Sequence, residues 1–211
     1  LIGNDGTNVK TQIRRDGTYR LKLNKNTRYA MLVNARGFLN EKQTFTTEGL
    51  EDSHTYLHNF VLSPISKPVK MNNILFKFGS WELTPDSEDG LKALVKLLND
   101  NPNITIELAA HTDHVGNNAS NQELSLRRVQ TIADYLIKSN IEQERLTAVG
   151  YGEEKPLVVD EVLHKHYPFL PKEQVPDEAF ITSLNADQQE ICNSLNRRTE
   201  FRVLKTTYNL Y

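Results

Sequence analysis

One cysteine, Cys192, and one tryptophan, Trp81, occur in 211 residues. A lone cysteine excludes an internal disulfide framework and says little about compartment. No apolar run approaches the ~18–20 residues that a membrane-crossing helix needs. Excess positive charge is also missing: 25 Lys+Arg stand against 27 Asp+Glu, for a net charge of -2 and a pI near 6.3. That balance argues against a nucleic-acid binder driven by bulk phosphate attraction. No Gly-rich phosphate loop follows a strand, since Gly150-Tyr-Gly152 lacks the Lys and the later glycine. No nucleophile elbow marks a Ser/His/Asp enzyme. The chain opens Leu1-Ile2-Gly3-Asn4 without a signal sequence, so it reads as an excised piece whose targeting information lies upstream. What remains, 38% hydrophobic and 25% charged, is the composition of a folded globular chain with one or two domains.

Two segments follow different grammars. Residues 1–62 read as short strands: 9–15 and 18–23 flank the hairpin signal Asp16-Gly17, and 28–34, 43–47 and 54–62 follow. No 3.6-residue apolar period interrupts them. Four or five such strands predict a small β-sandwich that begins mid-domain. Residues 63–70, Ser-Pro-Ile-Ser-Lys-Pro-Val-Lys, have the composition of a linker. Charge shifts beyond it. Residues 1–68 hold 10 Lys+Arg and 6 Asp+Glu, whereas 69–211 hold 15 and 21.

From residue 71 the pattern is α/β. A short strand is expected at 74–78. Thr84-Pro85-Asp86 then opens a helix whose apolar face is Leu91, Leu94, Val95 and Leu98, and Asn99–Pro102 stops it. A strand at 104–110 leads to Ser120-x-x-Glu123, a capping box starting a second helix with the stripe Val129, Ile132, Ala133, Leu136 and Ile137. Strands at 146–150 and 199–204 complete a βαβαββ order with a mostly parallel core. Residues 157–195 break this rhythm. They carry three of the eight prolines, with 2 Lys against 7 Asp+Glu, and read as a long insertion before the last strand.

The chemistry concentrates at Ala110-His111-Thr112-Asp113 and at Asn121-Gln-Glu-Leu124-Ser-Leu-Arg127-Arg128. Asp113 follows the carboxyl end of a strand and Arg128 lies on the next helix, a place where α/β sheets bind ligands. An anion and a cation in one crevice suit a zwitterion: Asp113 takes an ammonium, and the planar fork of Arg128 takes a carboxylate. Spacing alone leaves open a structural ion pair tying loop to helix. His111-x-x-His114 with Asp113 between them hints at metal but lacks a third ligand at a recognised spacing, so no metal or cofactor is expected. His111 reads instead as a loop support. Cys192 reads as a buried inert thiol, Trp81 as core or rim, and Lys77 and Lys92 as solvated.

These motifs, with Gly150-Tyr-Gly-Glu153-x-x-Pro156 and Asn196-Arg197-Arg198, occur in the order and spacing of the OmpA-like peptidoglycan-binding domain, which residues 73–204 resemble. The resemblance implies non-covalent binding of diaminopimelate-type peptidoglycan and no enzymatic turnover. It places Asp113 and Arg128 on the free amino-acid end of diaminopimelate, Asn121 and Leu124 in the same pocket, Thr112 on its flank, and Arg198 or its neighbour Arg197 on a second carboxylate. Three departures stand out. Ala110 replaces the usual Gly, Phe76-Lys77-Phe78-Gly79 lacks the acids of a common Phe-Asp-Phe-Asp loop, and the insertion is longer than in short members and is expected to rim the cleft.

Residues 15–38, with Arg15-Asp-Gly-Thr-Tyr-Arg-Leu-Lys-Leu23, Tyr29 and Arg36-Gly-Phe38, resemble the carboxypeptidase regulatory-like domain, a transthyretin-like sandwich. The pair of domains resembles multidomain Bacteroidetes envelope lipoproteins, among them those of type IX secretion. The implied location is the periplasm, attached to the outer membrane, with secretion-system envelope proteins as further partners and neither nucleic acid nor a membrane span in this chain. Rival readings are a metal-dependent peptidoglycan amidase or peptidase using His111, Asp113 and His114, and an assembly module that no longer binds wall.

Overall fold

The structure is a computed structural model, and it describes residues 1–208. The end of the expected second domain, residues 209–211, lies outside the described residues. The chain divides into two compact units, Leu1–Ile65 and from Ser66 onward.

In the first unit, β1 (Ile2–Gly3), β2 (Arg28–Val33) and β3 (Glu41–Thr46) form one antiparallel sheet in that order. Tyr29 and Met31 on β2 are buried, and the Tyr29 ring stacks on Phe45 of β3 at 5.4 Å. Thr47 Oγ1 accepts from Thr27 N and donates to Asn24 O, which ties the ends of the sheet together. The expected sandwich is not what forms among the described residues. The Asp16-Gly17 turn is present, with Arg14 N donating to Thr18 O, but no ladder extends from it. Residues 54–62 are held beside β3 by side chains, through Tyr56 Oη on Thr46 O and Gln43 Nε2 on Asn59 O. Alternating residues make a strand only where a backbone partner and a covered face exist, and Val9, Ile13, Leu57 and Val61 are exposed. The expected linker is partly structural. Ser63 O accepts from Leu39 N and Ile65 N donates to Gly37 O, an antiparallel bridge between Phe38 and Pro64 that uses the amides on either side of the missing proline N–H.

The second unit runs β4 (Val69–Lys70), α1 (Ser87–Asp100), β5 (Thr105–His111), α2 (Asn118–Lys138), a 3-10 turn, β6 (Leu146–Gly152), α3 (Glu161–His166), α4 (Glu178–Thr182), α5 (Ala186–Asn196) and β7 (Arg198–Lys205). Its sheet has the order β4-β7-β5-β6. Among the described residues only β5 and β6 pair in parallel; β7 enters antiparallel between β4 and β5. The sheet is therefore mixed rather than mostly parallel. Every residue of β5 is buried, as expected for a strand covered on both faces and paired along both edges. The first strand lies at β4, not at 74–78. Residues 75–84 instead fold back on themselves, with Phe76 bridging Leu83 and Thr84 N donating to Leu75 O.

Helix α1 buries Leu91, Leu94 and Leu98. Its N-cap is Asp86, while Thr84 Oγ1 instead contacts the buried Ser87 Oγ. Helix α2 buries Val129, Ile132, Ala133 and Leu136, and Ile137 sits at the exposed margin of that stripe. It starts earlier than the capping box suggests, because Asn117 Oδ1 accepts from Ala119 N and Ser120 N. The insertion builds its own small core from Leu157, Val159, Leu170, Ile181 and Cys192. Asn196 closes its neck: Oδ1 accepts from Leu157 N and Nδ2 donates to Pro176 O. Burial pushes the Cys192 thiol pKa up, keeping it protonated.

Candidate functional site

The site grows from the carboxyl end of β5. Thr112 N donates to Gly152 O, so the chain leaves β5 still fastened to β6. It then turns sharply, with Asp113 Oδ1 accepting from Val115 N at 3.2 Å. Asn121 Nδ2 lies 3.3 Å from both Asp113 O and Val115 O and 2.7 Å from Glu153 Oε2. The buried Asn121 amide therefore holds the loop in shape and ties it to the end of β6, with its donors used inside the protein.

Helix α2 comes close to β6 because of Gly150. A Cβ there would stand 2.3 Å from Leu126 N and 2.6 Å from Ser125 Oγ. Ser125 Oγ accepts from Gly152 N and donates to Gln122 O, and Gln122 Nε2 donates to Gly150 O. This seam fixes the helix, and with it Arg128 in the third turn. Arg128 Nε donates to Ser80 O at 3.0 Å, and its guanidinium lies 5.1 Å from the centroid of the Phe76 ring. Its Nη atoms make no hydrogen bond and meet no carboxylate among the described residues. Burial lowers the Arg128 pKa, and the Asp113 charge partly offsets that while the Arg197 charge adds to it.

Asp113 and Arg128 line one cavity of about 690 Å³, together with Thr112 and Leu124. They are not ion-paired to each other. The partner of Asp113 is Arg197, whose Nη1 lies 2.6 Å from Oδ2. Nη2 of Arg197 reaches Glu190 of α5 at 2.5 Å. Burial depresses the Arg197 pKa, but hydrogen bonds to both carboxylates outweigh it and the net direction is up. Arg198 reaches the cavity wall with its donors already taken by Glu200, Lys155 O and Asn196 O. Of the two adjacent arginines, Arg197, which caps the end of α5, is the one at Asp113, while Arg198, the first residue of β7, turns to Glu200 two residues on along the same face of the strand.

Thr112 is buried, and its Oγ1 has no partner among the described residues. His111 does not brace the loop. Its ring stacks on Tyr151 of β6 at 5.3 Å, and Nε2 lies 3.3 Å from Glu200 of β7. Among the described residues no group of three or more His, Cys, Asp or Glu is placed to hold a metal ion, and His111, Asp113 and His114 form none. Glu190, Asn193 and Ser194 bring the insertion to the rim of the cavity. The Glu190–Arg197 contact was not read from the sequence, although a spacing of seven residues puts both on one face of a helical stretch.

Residues 75–166 match the family described as "OmpA family". Outer membrane porin F of Pseudomonas fluorescens is 34% identical over 96 residues, 45% of this chain and 29% of that protein. Outer membrane protein A of Escherichia fergusonii is 34% identical over 88 residues, 41% of this chain and 36% of that protein. The chain thus spans about a third of the length of these curated relatives. Among solved structures, the peptidoglycan-associated lipoprotein from Burkholderia pseudomallei is similar with a TM-score of 0.43 and 20% identity, covering 62% of this chain and 88% of that one. No described helix is long and apolar enough to cross a membrane. The residues matched to the OmpA family run from the loop before α1 through α3, and α4, α5 and β7 lie beyond them.

Proposed function

We propose that the second unit binds peptidoglycan non-covalently, holding the diaminopimelate of the stem peptide between Asp113 and Arg128. The observation that carries this reading is the state of Arg128: half-buried, fixed at Nε by Ser80 O and stacked on Phe76, with its fork unpaired beside Asp113 in one open cavity. Such a guanidinium is preorganised for a carboxylate. Asp113 keeps lone pairs for an ammonium, although it shares its charge with Arg197. Diaminopimelate offers both groups on one carbon, whereas lysine at that stem position offers the ammonium alone. A lysine stem leaves Arg128 facing nothing, at a cost of about 1–3 kcal/mol for a partly desolvated charge. Each exposed ion pair contributes only ~0–1 kcal/mol, so a single site is weak, and repetition of the ligand along the wall polymer raises retention.

No step in this reading breaks a bond. The similarity of residues 75–166 to the OmpA family supports it, and the outer-membrane names of the curated relatives accord with a periplasmic, outer-membrane-associated location. On this reading the chain tethers an outer-membrane assembly to the wall, and the type IX secretion machinery is the assembly its two-domain sequence resembles. Sedimentation with purified sacculi tests the site. Wild type should pellet with diaminopimelate-type wall and less with lysine-type wall, and Asp113→Ala and Arg128→Ala should lose that difference. Equal retention of all three proteins on both walls removes the assignment.

A further inference from the structure

We propose that Phe78 is a sugar-stacking subsite that extends the cleft from the stem peptide to the glycan strand; this rests on the reading of the cleft as a stem-peptide site. Phe78 is the most exposed of the large apolar side chains described, at 105%. Nothing among the described residues covers its ring, yet the backbone beneath it is firmly held. Lys77 N donates to Glu82 O, Ser80 N donates to Lys77 O, and Glu82 N donates to Ser80 Oγ. Lys77 Nζ and Glu82 Oε2 pair at 2.6 Å across the loop. Gly79 takes φ +61, a left-handed conformation that lets the tip turn without strain.

Helix α2 buttresses the same loop twice. Arg128 holds Ser80 O, and the Arg127 guanidinium lies 4.5 Å over the Trp81 ring. Phe78 and Gly79 line the cavity shared by Asp113 and Arg128. The residue that would grip the stem carboxylate therefore also positions the loop carrying the exposed ring.

Ligand chemistry selects the occupant. A stem peptide held at its third residue joins an amino sugar about 10 Å away when extended. A pyranose presents one face of C–H groups matched in size to a single aromatic ring, and an aromatic face favours such contacts. A protein partner would call for a contiguous apolar patch, but the tip neighbours of Phe78 are Lys77, Gly79 and Ser80. The cavity volume of about 690 Å³ leaves room for more than an amino-acid end.

The test compares two ligands by calorimetry on the whole chain: a diaminopimelate tripeptide, and the same peptide carrying its disaccharide. Wild type should bind the glycosylated ligand about 3- to 10-fold more tightly. Phe78→Ala should reduce that affinity to the level of the bare peptide, leave the bare peptide unchanged, and melt as wild type does because the ring packs on nothing. Phe78→Trp should keep the preference. Equal wild-type affinity for the two ligands overturns the subsite alone. A Phe78→Ala variant that loses both ligands alike puts the ring on the peptide and overturns the sugar assignment. Wild type that binds neither ligand overturns the wall-binding reading, and the subsite with it.

Discussion

The carboxylate of Asp113 accepts a hydrogen bond of 2.6 Å from Nη1 of Arg197, and the same guanidinium reaches Glu190 at 2.5 Å. A bound ammonium must share Asp113 with a resident cation, which repels it. The side chain of Asp113 is 13% exposed and that of Arg197 39%, so the pair is partly screened and the coupling modest. Removing the Arg197 charge returns the full Asp113 charge to an ammonium. Arg197→Gln should therefore raise retention on lysine-type sacculi about 2- to 5-fold, with a smaller change on diaminopimelate-type wall, so that selectivity narrows. Glu190→Gln, which leaves Arg197 in place, should have a weaker effect. Unchanged or reduced lysine-type retention in Arg197→Gln would show that Arg197 does not compete for Asp113.

Arg128 performs two tasks with one side chain, since Nε holds Ser80 O and the fork faces the cavity. An ammonium cannot do both, because it is a point charge at the end of a flexible stem. Arg128→Lys should lose the preference for diaminopimelate nearly as fully as Arg128→Ala, although the formal charge is kept. The check is the ratio of pelleted protein on the two walls. Selectivity retained in the lysine variant would mean that charge alone, rather than a bidentate fork, reads the carboxylate.

Much of this arrangement follows from local pattern. Strand β5 is readable as a short apolar run before a helix start and the α2 stripe as a long periodic one, and a strand end followed by a helix start brings residues 113 and 128 near one opening. What escapes the sequence depends on tertiary partners. Strand β4 is two residues long and has no period to detect. Phe76 and Phe78 alternate as a strand would, but the alternation belongs to a folded-back loop. Ser120 and Glu123 satisfy a capping pattern, while Asn117 offers the same acceptor earlier and wins. Extended runs in the first unit need a partner strand to become strands, and no periodicity can announce where one is missing. The seat of Arg197 depends on how α5 leaves the insertion, which pairwise spacing does not encode.

Gly150 sets the distance between α2 and β6. Its missing Cβ leaves space that Leu126 N and Ser125 Oγ already occupy, and both belong to a helix fixed by further hydrogen bonds. Gly150→Ala must push α2 outward, with a cost of about 1–3 kcal/mol for overpacking. Trp81, the sole tryptophan, lies in the second unit and reports its unfolding directly. The urea midpoint read from Trp81 fluorescence should fall accordingly, and wall binding should weaken as Arg128 moves with the helix. A midpoint equal to that of wild type would show that the seam is soft.

Buried Arg145 donates to three carbonyls, those of Leu98, Asn101 and Ile104, where α1 hands over to β5. Burial lowers its pKa, with Glu142 and Tyr208 partly offsetting that. Replacing it leaves buried acceptors without donors, at about 1–3 kcal/mol for each one that water does not reach. Arg145→Met keeps much of the apolar stem and should still destabilise the second unit by several kcal/mol in the same denaturation experiment. A loss below about 1 kcal/mol would mean that solvent replaces those bonds.

Glu200 links β7 to β5 and tunes stability at low pH. Burial raises its pKa, but the His111 ring, with Nε2 3.3 Å from the carboxylate, and the charge of Arg198 outweigh that and hold it below the ordinary 4.5. A carboxylate depressed in the folded state contributes stability that is complete above its unfolded pKa and is lost as pH falls through the folded value. The melting temperature should therefore decline as pH drops below about 4.5, and Glu200→Gln, which cannot titrate, should flatten part of that decline while lowering stability at pH 7. Thermal melts followed by Trp81 fluorescence between pH 3 and 7 make the comparison. Parallel curves for the two proteins would show that other carboxylates set the acid limit, and that the contact between His111 and Glu200 is bystander geometry.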